Sequence, residues 1–281
     1  MTGRTMKTDA TEPTPRPVRA ALDLGSACHA GRVRELNEDR FLLAPESGIF
    51  AVADGMGGHA GGEVASTAVV EALAAVGPAA SAGDLLTALK ARLAAANADI
   101  QKVARARGAV VGTTVAVLLI HAPHFACLWS GDSRIYRVRG GVLAQLSRDH
   151  TEIQSLVERG VITPQEAQTW PRRNVITRAI GVQAQPELDL DHGLLEAGDL
   201  FILCSDGLTR HVEDGEILAA ASGPESGSAQ GLCDALLALT LHRGAADNVT
   251  VVAVRYLGRP ADAPADSPAA SGPRPPEGPR A

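Results

Sequence analysis

The sequence predicts an α+β fold in which two β-sheets have pairs of helices packed outside them. The first observation behind this prediction is the order of elements, because strand-like segments come in runs and helical segments come in pairs after a run. The second is that the chain shows no internal repeat. An alternating series of single strands and helices, which indicates a parallel sheet, fits this order less well.

Both ends of the 281-residue chain are predicted to be disordered. Residues 1–18 are polar and contain prolines, and residues 258–281 consist mostly of Pro, Ala, Gly and charged side chains. Such segments cannot bury enough apolar surface to offset the entropy lost on ordering. The part between them, residues 19–257, has a size that one layered domain can fill.

In the first half of this domain, a strand-like run ends at Asp54 and two helical patterns follow. Residues 63–76 are nearly all apolar on one side, and residues 84–107 form the second pattern. We expect these two helices to stack on each other. Two β-rich segments come next, over residues 112–120 and 124–147.

The second half again places strands before helices. The Gly140–Gly141 pair predicts a hairpin turn, and a buried strand ends at Asp206 in LFILCSDG. Two helical segments follow, EDGEILAAA and SAQGLCDALLALTLHR, and the strand NVTVVAVRYL closes the domain. Residues 148–180 are charged with short helical pieces, which predicts a surface insertion of the kind that forms lids and recognition elements.

Composition argues against several classes of partner. The net charge is −6 and aromatic residues make up 3%, so the clustered basic and aromatic surface of a nucleic-acid binder is missing. The four cysteines form no C-x-x-C pair, which favours reduced core thiols over a zinc site. The longest apolar run, VVGTTVAVLLI, is too short to span a membrane, and no signal peptide opens the chain. We therefore expect a cytoplasmic monomer without a membrane partner.

Acidic residues stand at the boundaries of strand-like runs in distant parts of the chain. They are Glu38, Asp39, Asp54, Asp132, Asp206 and Asp247. Such acids can converge on one end of a sheet, where divalent cations relieve their mutual repulsion. Oxygen ligands without His or Cys favour Mg²⁺ or Mn²⁺. Two such ions can activate a water molecule to attack phosphorus in line, while an arginine holds the phosphate oxygens.

The glycine-rich loop after Asp54, GMGGHAGGE, is consistent with this site but has alternatives. Asp54 is a candidate to bridge two ions, and Gly55 can present its carbonyl to a metal because no Cβ blocks the approach. The loop also matches the dinucleotide fingerprint G-x-G-x-x-G/A. That match lacks its second acid, because the candidate Glu71 lies in a helical pattern. In a further alternative, each Asp-Gly pair only forms a turn.

Eight motifs, in this order and spacing, resemble those of the metal-dependent protein serine/threonine phosphatases of type 2C, the PPM family, especially its bacterial branch. They are RVRELNEDRF, VADGMGGHAGGEVAS, GTTVAVLLI, WSGDSRIYRVRGG, SRDHT, ITRAIG, LFILCSDGL and DNVTVVAVR. The resemblance covers residues 20–256. It implies a central β-sandwich of two antiparallel sheets flanked by pairs of α-helices, with residues 148–180 as a flap beside the active site.

The resemblance also implies the ligands of two metal ions. Asp54 resembles the carboxylate that bridges both ions. Asp206 and Asp247 resemble the other ligands of the first ion. Glu38 and the carbonyl of Gly55 resemble ligands of the second ion, partly through water.

Further roles follow from the same resemblance. Asp39 resembles an acid that orients metal-bound water, and Asp132 together with Asp206 resembles the pair that holds a weaker third ion. Arg34 resembles the arginine that binds the phosphate. Arg32 is an alternative for that role, but its spacing from the acids fits less well.

The implied enzyme is a hydrolase that removes phosphate from phosphoserine and phosphothreonine by direct attack of a metal-activated hydroxide. Its partners would be phosphorylated proteins, including a serine/threonine kinase and the substrates of that kinase, in bacterial signalling. Met56 stands where eukaryotic members place a histidine that is proposed as general acid. Two alternatives are a catalytically inactive phosphatase-like domain that binds or senses a ligand, and a phosphatase of small molecules.

Overall fold

The computed structural model describes residues 21–58, 60–168, 170 and 175–258. The predicted disordered segments, 1–18 and 258–281, lie outside these residues except for Gly258, which ends the last strand. Within the described chain, eleven strands form two antiparallel sheets, and helices pack on the outer face of each. None of the helices in these residues is both long and apolar enough to span a bilayer.

One sheet has the strand order β1-β11-β10-β7-β8. Its strands are β1 (Ala21–His29), β7 (Arg134–Arg139), β8 (Val142–Gln145), β10 (Leu200–Cys204) and β11 (Val249–Gly258). The other sheet has the order β2-β3-β5-β6-β9, and a short strand β4 pairs with β3. Its strands are β2 (Asp39–Ala44), β3 (Ile49–Met56), β4 (Gly112–Thr113), β5 (Val115–His121), β6 (His124–Ser130) and β9 (Asp189–Leu194).

Strand β3 shows why the sheets lie in the middle of the molecule. Its residues 49–53 are fully buried, and successive side chains point to opposite faces. Ile49 and Ala51 pack in the cluster under the helices, whereas Phe50 and Val52 pack between the two sheets. A strand that is covered on both faces needs a continuous apolar run, and IFAVA supplies it.

The helices cover the sheets in pairs, as predicted. Helices α1 (Gly61–Ala74) and α2 (Ala82–Arg107) share one apolar cluster, in which Val69 and Leu73 join Leu89 and Leu93. The side chain of Ser81 accepts a hydrogen bond from the Asp84 amide and caps the start of α2. On the other sheet lie α5 (Asp206–Thr209), α6 (Asp214–Ser222), a 3₁₀ turn (Pro224–Gly227) and α7 (Ala229–His242).

The predicted insertion between strands β8 and β9 contains two short helices, α3 (Glu152–Glu158) and α4 (Pro164–Gln168). Backbone bridges join it to itself at Thr151 and Ile176, and to strand β4 at Ile180. The predicted hairpin turn at Gly140–Gly141 joins β7 to β8, and both glycines have positive φ. Strands β1 and β9 were not predicted, but the sandwich of two sheets with outer helix pairs is confirmed.

Candidate active site

Two glycines hold the end of strand β3 against the start of helix α1. A Cβ atom on Gly62 would lie 2.5 Å from the backbone carbonyl carbon of Gly55 and 2.7 Å from Oε1 of Glu38. These distances leave no room for a side chain. The close approach lets the Gly62 amide donate a 3.0 Å hydrogen bond to Glu38 Oε1. The loop needs few side chains because a strand end, a helix start and a carboxylate meet there.

An open cavity of about 360 Å³ lies beside this junction. Seven of the eight predicted site residues line it, namely Arg34, Glu38, Asp54, Gly55, Asp132, Asp206 and Asp247. Arg210, Thr114, Asn248, Ile176 and Met56 also line the cavity. These residues come from strand ends and loops of both sheets, so the structure brings distant acids together as the sequence predicts. Their individual roles remain predictions.

Asp39 is the predicted site residue that lies behind the cavity wall. It is fully buried, and its backbone pairs with Asp54 across strands β2 and β3. Its Oδ2 accepts hydrogen bonds from the hydroxyls of Ser205, at 2.7 Å, and Thr250, at 2.8 Å. Its Oδ1 is buried without a hydrogen-bond partner among the described residues. A buried carboxylate oxygen without a partner is costly, so this atom indicates a group that the protein chain does not supply.

The carboxylates around the cavity also disfavour one another's charge. Burial, followed by the charges of Asp39 and Asp206, raises the pKa of Asp54 well above its ordinary value. Burial, followed by the charge of Asp206, raises the pKa of Asp132 to about 7. Burial also raises the pKa of Asp39, to about 6. A cluster with raised pKa values takes up either protons or cations.

Two arginines already neutralise part of this cluster. The Arg34 guanidinium donates through Nε and Nη2 to the two carboxylate oxygens of Asp247, at 2.8 and 3.0 Å. Arg210 donates through Nη1 to Asp247 Oδ2, at 2.9 Å, and through Nη2 to Asp206 Oδ2. Arg210 is not among the site residues predicted from the sequence. Its signal is the spacing of four residues from Asp206, which places the two side chains next to each other on a helical turn.

Asn248, which directly follows Asp247, also lines the cavity without having been predicted as a site residue. Its amide nitrogen donates to the backbone carbonyls of Ala30, at 3.0 Å, and Leu36, at 2.9 Å. Its amide oxygen accepts a 2.8 Å hydrogen bond from the Glu38 backbone. One side chain thus fixes the loop that carries Arg34 and Glu38 to the cavity.

The donor set fits hard divalent cations. It consists of carboxylate oxygens and the Gly55 carbonyl, with the unpartnered Asp39 oxygen behind them. Within the described chain, no group of three or more His, Cys, Asp or Glu side chains is arranged so that it could hold a metal ion by itself. Arg34 and Arg210 hold oxygens of Asp206 and Asp247. A cation that binds these two acids would share their carboxylates with the guanidinium groups.

The structure does not support the dinucleotide alternative for the glycine-rich loop. Glu71 lies inside helix α1, and strand β3 pairs with antiparallel neighbours. The fingerprint needs an acid at the end of a parallel strand in a βαβ unit. His59, which the loop also contains, lies outside the described residues.

Comparisons with known proteins agree with this site. The family model described as protein phosphatase 2C matches residues 29–224. The serine/threonine protein phosphatase PstP of Mycobacterium tuberculosis is 40% identical over 238 residues, which are 84% of this chain and 45% of PstP. This chain therefore spans about half the length of that relative. The serine/threonine phosphatase stp of Listeria innocua is 32% identical over 80% of this chain and 92% of its own length.

Solved structures show the same likeness. The catalytic domain of PstP in complex with two manganese ions is 37% identical, covers 84% of this chain and 98% of its own, and superposes with a TM-score of 0.73. The motifs, the sandwich of sheets and the acidic cavity thus coincide with matches that extend along most of the described chain. The resemblance predicted from the sequence is confirmed, and the chain belongs to the protein phosphatase 2C family.

Proposed function

We propose that this chain is a protein serine/threonine phosphatase that hydrolyses phosphoserine and phosphothreonine with two bound Mg²⁺ or Mn²⁺ ions. The observation that carries the proposal is the convergence of Asp54, Asp206 and Asp247 with Arg34 on one open cavity. The relatives named as serine/threonine phosphatases support the reaction, and the manganese complex of PstP supports the pair of ions.

The resemblance to the family assigns these acids to two ions. Asp54 would bridge them, Asp206 and Asp247 would complete the first, and Glu38 with the Gly55 carbonyl would hold the second. When bound, the ions supply a water molecule that is acidic enough to attack phosphorus near neutral pH. A third ion, if present, would take Asp132 together with Asp206, because burial and the Asp206 charge raise the pKa of Asp132.

Arg34 is suited to hold the phosphate group of the substrate. Its side chain is 56% exposed, so the guanidinium can turn from Asp247 toward a ligand at the cavity mouth. Arginine binds phosphate oxygens through two parallel N–H donors. Arg32, the alternative, donates instead to the Leu241 carbonyl and does not line the cavity.

The phosphoryl group is transferred directly to water in this proposal. Among the described residues that line the cavity, Thr114 is the one with a hydroxyl. Its Oγ1 accepts a hydrogen bond from the Asp54 amide and shares another with Ser133. A hydroxyl engaged in both of these hydrogen bonds positions the backbone of Asp54.

The remaining assignments concern the setting of the enzyme. Phosphorylated proteins are the proposed substrates, and a serine/threonine kinase with its targets is the proposed partner system. The four cysteines are free thiols, which suits a reducing compartment, and we place the enzyme in the cytoplasm as a monomer.

Phosphate release from a phosphothreonine peptide, measured with Mn²⁺ and after exhaustive chelation, tests the proposal. We expect release that requires Mn²⁺ and is abolished in Asp206→Asn and Asp247→Asn. Asp99→Asn is the matched control, because Asp99 is exposed on α2, outside the cavity, and pairs with Lys102. Release that survives chelation would overturn the two-ion mechanism, and its absence in every condition would favour the inactive binding domain. Hydrolysis confined to small phosphate esters would favour the small-molecule alternative.

A further inference from the structure

The acidic cavity contains its own cation. Arg210 follows the first turn of α5, and its guanidinium spans two carboxylates from different parts of the chain. It contacts Oδ2 of Asp206 with one nitrogen and Oδ2 of Asp247 with another. Arg210 lines the cavity together with a third acid, Asp132.

We propose that Arg210 is a built-in counter-cation that competes with divalent metal for Asp206 and Asp247. This inference rests on the proposed function, because it takes these two carboxylates as metal ligands. The guanidinium contacts one oxygen of each carboxylate and brings a positive charge to the two acids that would hold an ion. An ion and Arg210 therefore compete for the same negative charge.

The alternative is that Arg210 belongs to an ordinary structural ion pair. The pair of Arg139 with Asp199 shows what such a pair looks like in this chain. Asp199 is buried and accepts from Nε and Nη2 of Arg139 and also from the Glu196 amide, so its oxygens are satisfied by the protein. Asp206 lines the open cavity instead, and its side chain is 13% exposed, so an ion can reach its carboxylate from solvent.

This competition has a consequence for the metal-free protein. Arg210 neutralises acids that would otherwise repel one another, so it stabilises the fold before metal arrives. The same charge weakens metal binding, because a guanidinium beside these carboxylates repels a second cation. One residue thus lowers the metal affinity and limits the loss of stability on metal release.

Isothermal titration of metal-free protein with Mn²⁺ tests this proposal directly and without an activity assay. We expect Arg210→Gln to bind Mn²⁺ about tenfold more tightly than the wild type, the scale on which one neighbouring charge shifts a carboxylate equilibrium. Arg210→Lys should lie between them, because an ammonium group cannot span two carboxylates as a guanidinium does. Arg139→Gln is the matched control and should leave the Mn²⁺ affinity unchanged.

Thermal unfolding supplies a second readout. We expect metal-free Arg210→Gln to melt below the wild type, and saturating Mn²⁺ to raise its melting temperature by more. If Arg210→Gln does not fold without metal, Arg210→Lys carries the test. Mn²⁺ affinity no tighter than the wild type in the variants that fold would overturn the competition. A wild type that binds no Mn²⁺ would overturn the metal site itself, which distinguishes the two failures.

Discussion

The two ends of strand β10 carry acids in opposite situations. Asp199 precedes the strand, is 1% exposed, and receives three hydrogen bonds from Arg139 and the Glu196 amide. Asp206 follows the strand at the other end and lines the open cavity, where it pairs with Arg210. Behind the same cavity lies the buried Asp39, whose Oδ1 has no partner in the described chain. A carboxylate that the protein satisfies completely serves the fold. A carboxylate oxygen left without a donor indicates a group that binds from outside.

The largest effect is expected for Asp54→Asn, which removes the charge of another acid that lines the cavity with Asp206. We expect Mn²⁺-dependent hydrolysis to fall by more than about 100-fold, because residues that merely orient metal ligands are already worth up to that much. We expect the metal-free variant to melt above the wild type at pH 7. The neutral amide removes a carboxylate whose charge is disfavoured by burial and by Asp39 and Asp206.

The gain in stability from Asp54→Asn should depend on pH. A folded pKa raised above the unfolded value makes an ionised Asp54 destabilising at pH values above the unfolded pKa, about 3.9. The difference in melting temperature should therefore shrink as the pH falls toward about 4. A metal-free variant that melts below the wild type at pH 7 would contradict the assignment of Asp54 to a repulsive cluster.

Asp199→Asn should show the reverse behaviour. We expect a loss of about 2 kcal/mol in the free energy of unfolding, because the substitution removes charge-assisted hydrogen bonds from Arg139 to a buried carboxylate, while Arg139 keeps its pair with Glu196. The rate per folded molecule should stay at the wild-type level, because Asp199 is at the far end of β10. Urea denaturation with a parallel rate measurement checks both, and a large loss of rate in folded protein would refute the contrast.

Arg34→Lys tests whether the arginine at the cavity mouth binds the phosphate group of the substrate. We expect kcat/KM for a phosphothreonine peptide to fall about tenfold, the equivalent of losing one charge-assisted hydrogen bond to phosphate. Arg32→Lys is the matched control, because Arg32 donates to a backbone carbonyl outside the cavity. Equal losses in both variants would remove the distinction between these arginines.

The smallest effect on stability is expected for a glycine-to-alanine substitution at the start of α2, which can be compared with the same substitution at the start of α1. Gly83→Ala in α2 meets only the Ser81 hydroxyl, at 3.8 Å, and should stabilise the protein by about 0.5 kcal/mol through the unfolded state. Gly62→Ala in α1 would drive a methyl group into Gly55 and Glu38, and should destabilise the protein and lower the activity. Chemical denaturation of both variants measures these changes in stability. A stable and active Gly62→Ala variant would show that the close contact of Gly62 with Gly55 and Glu38 is not required.

The order of elements was predictable because each half of the domain places apolar strands before amphipathic helices. Helix α1 begins at Gly61, two residues before the predicted start, since glycines have low helix propensity and their role is the contact with β3. Edge strands β1 and β9 were missed because their residues are only partly buried and lack long apolar runs.

The acids of the cavity were predictable because each stands at the boundary of a strand, and the ends of paired strands meet at one edge of a sheet. Arg210 was not, because its importance depends on Asp247 lying opposite, and that proximity arises only when β10 and β11 pair. Asn248 was missed for a similar reason. Its three hydrogen bonds reach a loop more than two hundred positions earlier in the chain.

Asn248 has a consequence for how this protein can change. The loop it anchors exposes Val33, at 68%, and Leu36, at 53%, beside the entrance to the cavity. Because Asn248 secures the loop through backbone atoms, substitutions of these outward side chains leave its three hydrogen bonds in place. The surface around Arg34 can therefore differ in sequence while the loop keeps this anchor.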